Sequence, residues 1–378
     1  MKVLFAIPAK SGLSGASMAA LNIAKGLAKA GVKVHVVTSD PLPVYAAWLR
    51  RLKEAGVVIH RARSFKSSYL YWLSIALKAL RVLAAEKVEI VHPHTPKTCA
   101  LIGLLGKALR RKVVLTLEGD PLEEIRYLKL RGRVLGKAAW LLSLSIADAL
   151  CPCSKWLANV IVKRHGEVKG RVTTVHNPID FDRFEGAKGE GVKEELGVKG
   201  LMVLTPARLE PVKGVDVLIK AAKEVVKRFS NAYFVVAGDG PLREGLRRLA
   251  EELGVANNVI FTGFRGDVER LIAACNVLVL PSTYEPFGMP AAEAGACRKP
   301  VVASDVGGLR EIVRHGETGF KIPPRDHKAM AETIVKLLED AGLREQMGLA
   351  GYRSVKSSFT PERVARRTLK VYAGLMAR

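Results

Sequence analysis

Two kinds of hydrophobic pattern alternate along this chain from one end to the other. Short uninterrupted apolar runs read as strands buried on both faces of a parallel sheet. Longer stretches with apolar residues every three or four positions read as helices. In the first half, residues 2–8, 32–38, 89–92 and 112–117 are expected strands. Residues 17–30, closed by Gly31, and 70–85 are expected helices. In the second half, 201–205, 233–237, 258–262, 277–280 and 299–303 are expected strands, with helices such as 215–228 and 242–253 between them. Strand and helix alternating in both halves predicts an α/β protein of two doubly wound, Rossmann-like parallel sheets. Residues 177 to about 200, rich in charge and glycine, are the expected hinge. The domain expectation is therefore 1–180, 181–357 and a terminal helix over 358–378, with Thr360 as its cap and Pro361 at its first position.

Composition changes this picture in a few places. At 378 residues the chain exceeds what one core usually holds, in keeping with two domains. It is 49% apolar and 25% charged, which excludes disordered and fibrous classes. No apolar run approaches the ~18 residues of a membrane span, and the chain opens directly into a strand, so neither span nor leader is expected. Five cysteines, an odd number, give no disulfide framework and fit reduced thiols in a cytoplasmic protein.

The net charge of +24 is uneven. Residues 1–184 hold 30 Lys and Arg against 12 Asp and Glu, or +18; the rest hold 30 against 24, or +6. Such an excess draws a protein to polyanions: nucleic acid, anionic lipid or a phosphorylated acceptor. No recognition module for nucleic acid is present, so a nucleic-acid-binding protein is only an alternative reading.

The candidate chemistry lies mostly in the second half. Glu285 follows the strand 277–280, and Glu293 stands eight residues on, within a helix that Pro290 suits in its first turn. The carboxyl edge of an open α/β sheet is where ligands bind. The amides of Phe287, Gly288 and Met289 lie at that helix's amino end, where phosphate is favoured. Arg208 and Lys213 put two cations in the loop after the strand 201–205, able to stabilise negative charge or simply solvated. In the first half the small-residue segment 9–17, with Gly15, lets a backbone approach a phosphate, but has neither a dinucleotide fingerprint nor a phosphate loop. Asp180 and Asp182 form a chance-level Asp-x-Asp, Cys151 and Cys153 are too close for a zinc knuckle, and no metal or cofactor is expected.

The run from Pro281 through Glu285 to Glu293, continued by Gly307, Gly308 and Glu311, resembles the nucleotide-sugar domain of glycosyltransferase family 4 (group 1), as do Arg208, Lys213, Gly214 and Gly240. These are retaining glycosyltransferases of the GT-B fold, two Rossmann-like domains facing across a cleft. The resemblance implies transfer of a hexosyl group from a UDP- or GDP-linked sugar to an acceptor hydroxyl, with no metal. Arg208 and Lys213 would grip the diphosphate, Glu285 the transferred sugar, Glu293 the ribose hydroxyls, and Gly15 the diphosphate through its backbone. Many members place a histidine after the strand 112–117; this chain has Glu118 and Asp120 there, so the histidine's role does not transfer. His92 and His94 could line the acceptor side or simply be polar residues of a turn. A nucleotide-sugar epimerase of the same architecture is a further alternative.

Residues 125–142 mix Arg126, Lys129, Arg131, Arg133 and Lys137 with apolar residues and Trp140 at helical spacing. Such a surface can lie on an anionic bilayer. Peripheral attachment at the inner face of the cell membrane, with a sugar or lipid-linked acceptor, is the corresponding expectation.

Overall fold

A computed structural model describes residues 1–7, 15–39, 46–126 and 130–377. The chain forms two compact units, Met1–Ile179 with Phe359–Arg378, and Asp180–Ser358.

The first unit is built on six parallel strands: β1 (Lys2–Ala6), β2 (Lys33–Ser39), β3 (Val58–Ala62), β4 (Ile90–Pro93), β5 (Lys112–Leu117) and β6 (Ala149–Pro152), in the order β3-β2-β1-β4-β5-β6. Successive residues of a strand point to opposite faces, and β1 shows this directly. Val3 and Phe5 join Val34 and Val36 under Leu21, Ile23 and Leu27 of the helix Gly15–Lys29. Leu4 and Ala6 join Val37 under Tyr71, Ile75 and Leu83 of the helix Ser68–Ala85. The final helix, Pro361–Met376, packs on Gly15–Lys29 and adds Val364 and Tyr372 to the first of these cores. A Cβ on Gly26 would lie 2.2 Å from the Pro361 carbonyl oxygen, so only glycine allows this approach. Thr360 caps the helix by accepting from the Arg363 amide.

The second unit repeats the plan with β7 (Leu201–Pro206), β8 (Ala232–Ala237), β9 (Val259–Gly263), β10 (Val277–Leu280), β11 (Val301–Ser304) and β12 (Gly319–Ile322), in the order β12-β11-β10-β7-β8-β9. Again every pairing is parallel. Connections run outward from β7 through β8 to β9, then return to β10 and proceed the other way. The switch point therefore falls between β7 and β10, and in the first unit between β1 and β4.

Three strands lack the apolar run that marks the others. β3 is an edge strand with His60 partly exposed and Arg61 exposed, β6 is only Ala-Leu-Cys-Pro, and β12 is Gly-Phe-Lys-Ile at the edge of the second sheet. The division between the units, at Ile179/Asp180, falls inside the expected hinge over 177–200, but most of that stretch is not a linker. Residues from Asp180 onward fold into the second unit as the short helices Phe181–Glu185 and Val192–Glu195, with Phe181, Phe184, Val192 and Val198 buried.

Candidate active site

The loops that follow β7 and β10 meet at the switch point of the second sheet. Lys213 ends a short 3₁₀ turn after β7, and its Nζ donates to Oε2 of Glu285, 2.7 Å away in the loop after β10. Ser282 Oγ donates to the same oxygen at 3.3 Å. Both partners of the pair are largely shielded, and a charge-assisted hydrogen bond in such a setting is stronger than on an open surface. Backbone contacts hold the loop: the Gly308 amide donates to the Glu285 carbonyl at 2.9 Å. Gly307, at φ +52°, lets the next loop pass so close that a Cβ would sit 2.1 Å from that same carbonyl oxygen. Gly214, at φ +63°, does the same against the Pro281 carbonyl. The glycines thus tie the loops after β7, β10 and β11 into one edge.

Glu293 lies on the helix Met289–Ala296, one turn beyond Gly288. Burial pushes its carboxyl up to about 7; the Arg183 guanidinium opposes the shift and Glu269 adds to it. Arg183 is itself ion-paired to Glu269 and so is only partly available to Glu293. The Phe287 side chain is buried, which leaves its backbone for any ligand, and Gly288 takes the left-handed conformation at φ +103° that opens the helix. Arg208 stands apart from this cluster. Its side chain is 76% exposed and contacts Glu210 at 3.1 Å.

In the first unit Glu118 follows β5 and sits in a buried polar network. His94 Nδ1 donates to Oε1 at 3.4 Å, and Asn177 Nδ2 donates to Oε2 at 2.5 Å. An ionised carboxylate only accepts, so Nδ1 carries the proton of this contact. His94 Nε2 and Asn177 Oδ1 are buried without a partner among the described residues. The His94 ring stacks on His92 and on Phe5. His92 bridges Tyr372 OH of the final helix, at 2.5 Å, to Thr116 Oγ1, at 2.8 Å. Burial, with His94 alongside, holds His92 well below the usual histidine range and therefore neutral. Asp120, the other acid of this loop, is taken up by Arg164, whose Nη1 donates to both its oxygens at 2.7 and 2.8 Å.

The structure thus joins Lys213 with Glu285 and sets Glu293 in a desolvated position on the next helix. Gly15 is the exposed first residue of its helix; residues 9–14 of the preceding segment lie outside the described residues. Asn177 was missed because it stands in a stretch that reads as linker, and His94 was left between two readings. Their one sequence signal is position, each just beyond an apolar run.

A Lys–carboxylate pair and a second, desolvated carboxylate thus stand at the switch point of a doubly wound sheet, the edge where such sheets bind ligands. Comparison with known proteins names the class of protein. Residues 13–183 match the family described as Glycosyltransferase Family 4, and residues 191–354 match Glycosyl transferases group 1. The chain belongs to this family and is a glycosyltransferase. It is 29% identical over 374 residues to an uncharacterized glycosyltransferase of Methanocaldococcus jannaschii, covering 95% of this chain and 94% of that one. It is 27% identical to the N-acetyl-alpha-D-glucosaminyl L-malate synthase of Bacillus anthracis, covering 98% and 97%. The crystal structure of Anabaena HepE in complex with UDP-glucose superposes with a TM-score of 0.81 at 22% identity, over 99% of this chain and 100% of that one. The fold is GT-B.

Proposed function

We propose that this glycosyltransferase moves a hexosyl group from a UDP- or GDP-linked sugar to an acceptor hydroxyl, with retention at the anomeric carbon and without a metal. The Lys213–Glu285 pair at 2.7 Å carries this reading. Lys213 is positioned to leave a carboxylate for a diphosphate, and the released Glu285 then accepts hydrogen bonds from hydroxyls of the transferred sugar. Glu293 receives the ribose hydroxyls of the donor. Arg208, with its exposed side chain, folds in from Glu210 onto the diphosphate, and the backbone at Phe287, Gly288 and Met289 adds amide contacts. The acceptor oxygen attacks on the face from which the diphosphate departs. Its proton passes to the departing diphosphate oxygen as the anomeric carbon–oxygen bond breaks. In the first unit Glu118 is a positioning residue: it fixes His94 so that the unpartnered Nε2 accepts a hydrogen bond from an acceptor hydroxyl.

The N-acetylglucosaminyl transfer named for the Bacillus relative and the UDP-glucose bound by HepE support a nucleotide-sugar donor and a sugar or small hydroxy acceptor. The basic charge of residues 1–184 supports a cytoplasmic enzyme attached peripherally to an anionic membrane, with a lipid-linked acceptor. Calorimetric titration with UDP-, GDP- and ADP-glucose tests the donor reading. One nucleotide binding at micromolar concentration, and weakened by Glu293→Gln, is expected. Binding of none, or sugar isomerisation without an acceptor, would overturn it.

A further inference from the structure

The outer surface of the first unit is unusual in what it leaves to solvent. Among the described residues, seventeen large apolar side chains are exposed, and twelve of them lie on one helical layer. That layer covers a single face of the β1–β6 sheet. It consists of Ser68–Ala85, the stretch 96–108 and Leu130–Ile146 side by side, the Cys99–Gly103 turn packing against both outer helices.

Ser68–Ala85 is apolar on opposite sides. Its inner face holds the buried Tyr71, Ile75, Ala79, Val82 and Leu83. Its outer face exposes Tyr69, Leu70, Leu73, Leu77 and Leu80, with Tyr69 at 77%. At 3.6 residues per turn those five fall within about 100° of arc, a continuous stripe along the helix. Leu130–Ile146 repeats the arrangement. Gly136, Trp140, Ser143 and Leu144 face inward, while Leu130, Val134, Leu135, Leu141 and Leu142 are exposed. Leu104 and Leu109 bridge the two stripes in the middle of the layer. Ordinary surface helices carry polar residues on the side away from the core, and a contiguous apolar patch of this kind marks an interaction surface.

Charge says what covers it. Residues 66–86, 96–111 and 130–148 together hold ten Lys and Arg against two acids, Glu86 and Asp148, which are ion-paired to Lys33 and Lys107. Arg81, Arg131, Arg133 and Lys137 are exposed beside the leucines. Two such faces brought together would set a large excess of cations against the same excess, which disfavours a second copy of this chain. Apolar stripes flanked mainly by cations match a bilayer with anionic headgroups, where leucines enter the acyl boundary and cations stay at the phosphates. No described helix is long and apolar enough to cross a membrane.

We infer that the first unit docks flat on an anionic bilayer through this three-helix face, with the exposed leucine stripe of Ser68–Ala85 as its main inserted edge. The inference rests on the membrane reading given above and extends it to a helix which that reading did not include. It fixes how the unit lies: the sheet face under Ser68–Ala85 is turned to the lipid, and the face under Gly15–Lys29 and the final helix is turned away.

The test is flotation of the full chain with vesicles of phosphatidylcholine and phosphatidylglycerol at 3:1, against phosphatidylcholine alone. Two variants accompany it, Leu73→Ser/Leu77→Ser/Leu80→Ser and Arg131→Glu/Arg133→Glu, each checked for an unchanged melting temperature and nucleotide affinity. Binding to the anionic vesicles, reduced at least tenfold in each variant, is expected. If the arginine variant alone loses binding, the leucine stripe is not inserted and this inference fails while the earlier membrane reading stands. If the wild-type chain ignores the vesicles, both fail. A dimer by light scattering that the leucine substitutions dissociate would then identify a second copy as the occupant.

Discussion

Replacing Glu293 with glutamine should stabilise the free enzyme and weaken donor binding at the same time. The carboxyl is pushed up to about 7 by burial, against an ordinary value of 4.5. A raised acid is stabilising in its neutral form only. Its contribution is therefore intact below about pH 4.5 and is lost as the pH rises toward 7, where the folded protein must hold a desolvated charge. A difference of roughly 2.5 pH units corresponds to about 3 kcal/mol at most, and glutamine removes that penalty while keeping the shape. At pH 8 the variant should melt up to about 6–12 °C higher, taking ~2–4 °C per kcal/mol for a unit of this size. At pH 5 the two proteins should melt nearly together. Donor binding should move the other way. Ribose hydroxyls donate to an ionised carboxylate more strongly than to an amide oxygen, a difference of about 1–1.5 kcal/mol or roughly tenfold in affinity. Wild-type affinity for the nucleotide should also rise across pH 6 to 8 as Glu293 ionises, and that rise should be absent from the variant. Melting curves at the two pH values and calorimetric titration with UDP or GDP measure all three quantities. A variant that melts lower at pH 8, or binds nucleotide as the wild type does, would refute the reasoning.

Three other perturbations have defined outcomes. Lys213→Ala leaves Glu285 with Ser282 as its side-chain partner, and nucleotide affinity should fall roughly 10- to 150-fold for one lost charge-assisted contact, read by titration. Gly307→Ala puts a methyl 2.1 Å from the Glu285 carbonyl at a positive φ; urea unfolding should show a loss of about 2–4 kcal/mol. Glu118→Ala strips His94 and Asn177 of their shared partner, so stability should fall by about 1–3 kcal/mol. In that variant the acceptor KM should rise while nucleotide affinity is unchanged, and equal damage to both would show that Glu118 only holds the fold.

The hydrophobic pattern was enough to find nine of the strands' positions, because strands buried on both faces must be apolar at every residue. It failed where strands are short or at an edge: β3 and β12 each bury only part of their surface, and β6 has four residues and no preceding break. Lys213 and Glu285, 72 residues apart, were legible as candidates from their motifs, but their contact depends on strand order, which periodicity does not give. The Glu118 network was less legible still. Its members come from the ends of β4 and β5 and from Asn177, and only parallel pairing of those strands brings them within hydrogen-bond reach. The exposed leucines of Ser68–Ala85 were hidden for a different reason. Apolar residues on two opposite sides of one helix blur into a uniformly hydrophobic segment when read along the chain.

The return of the final helix to the first unit has a consequence for the order in which this protein is made. The core shared by β1, β2 and Gly15–Lys29 includes Val364 and Tyr372, and Tyr372 closes the hydrogen bond to His92. These residues leave the ribosome only after the whole of Asp180–Ser358. At about 5–20 residues per second, some 10–40 s separate the emergence of Ile179 from that of the final helix. Throughout that interval the amino-terminal unit must wait with one face of its sheet incompletely covered. The unit encoded second, Asp180–Ser358, draws its sheet and core from one continuous stretch and is able to close first, so synthesis order and completion order are reversed for these two units.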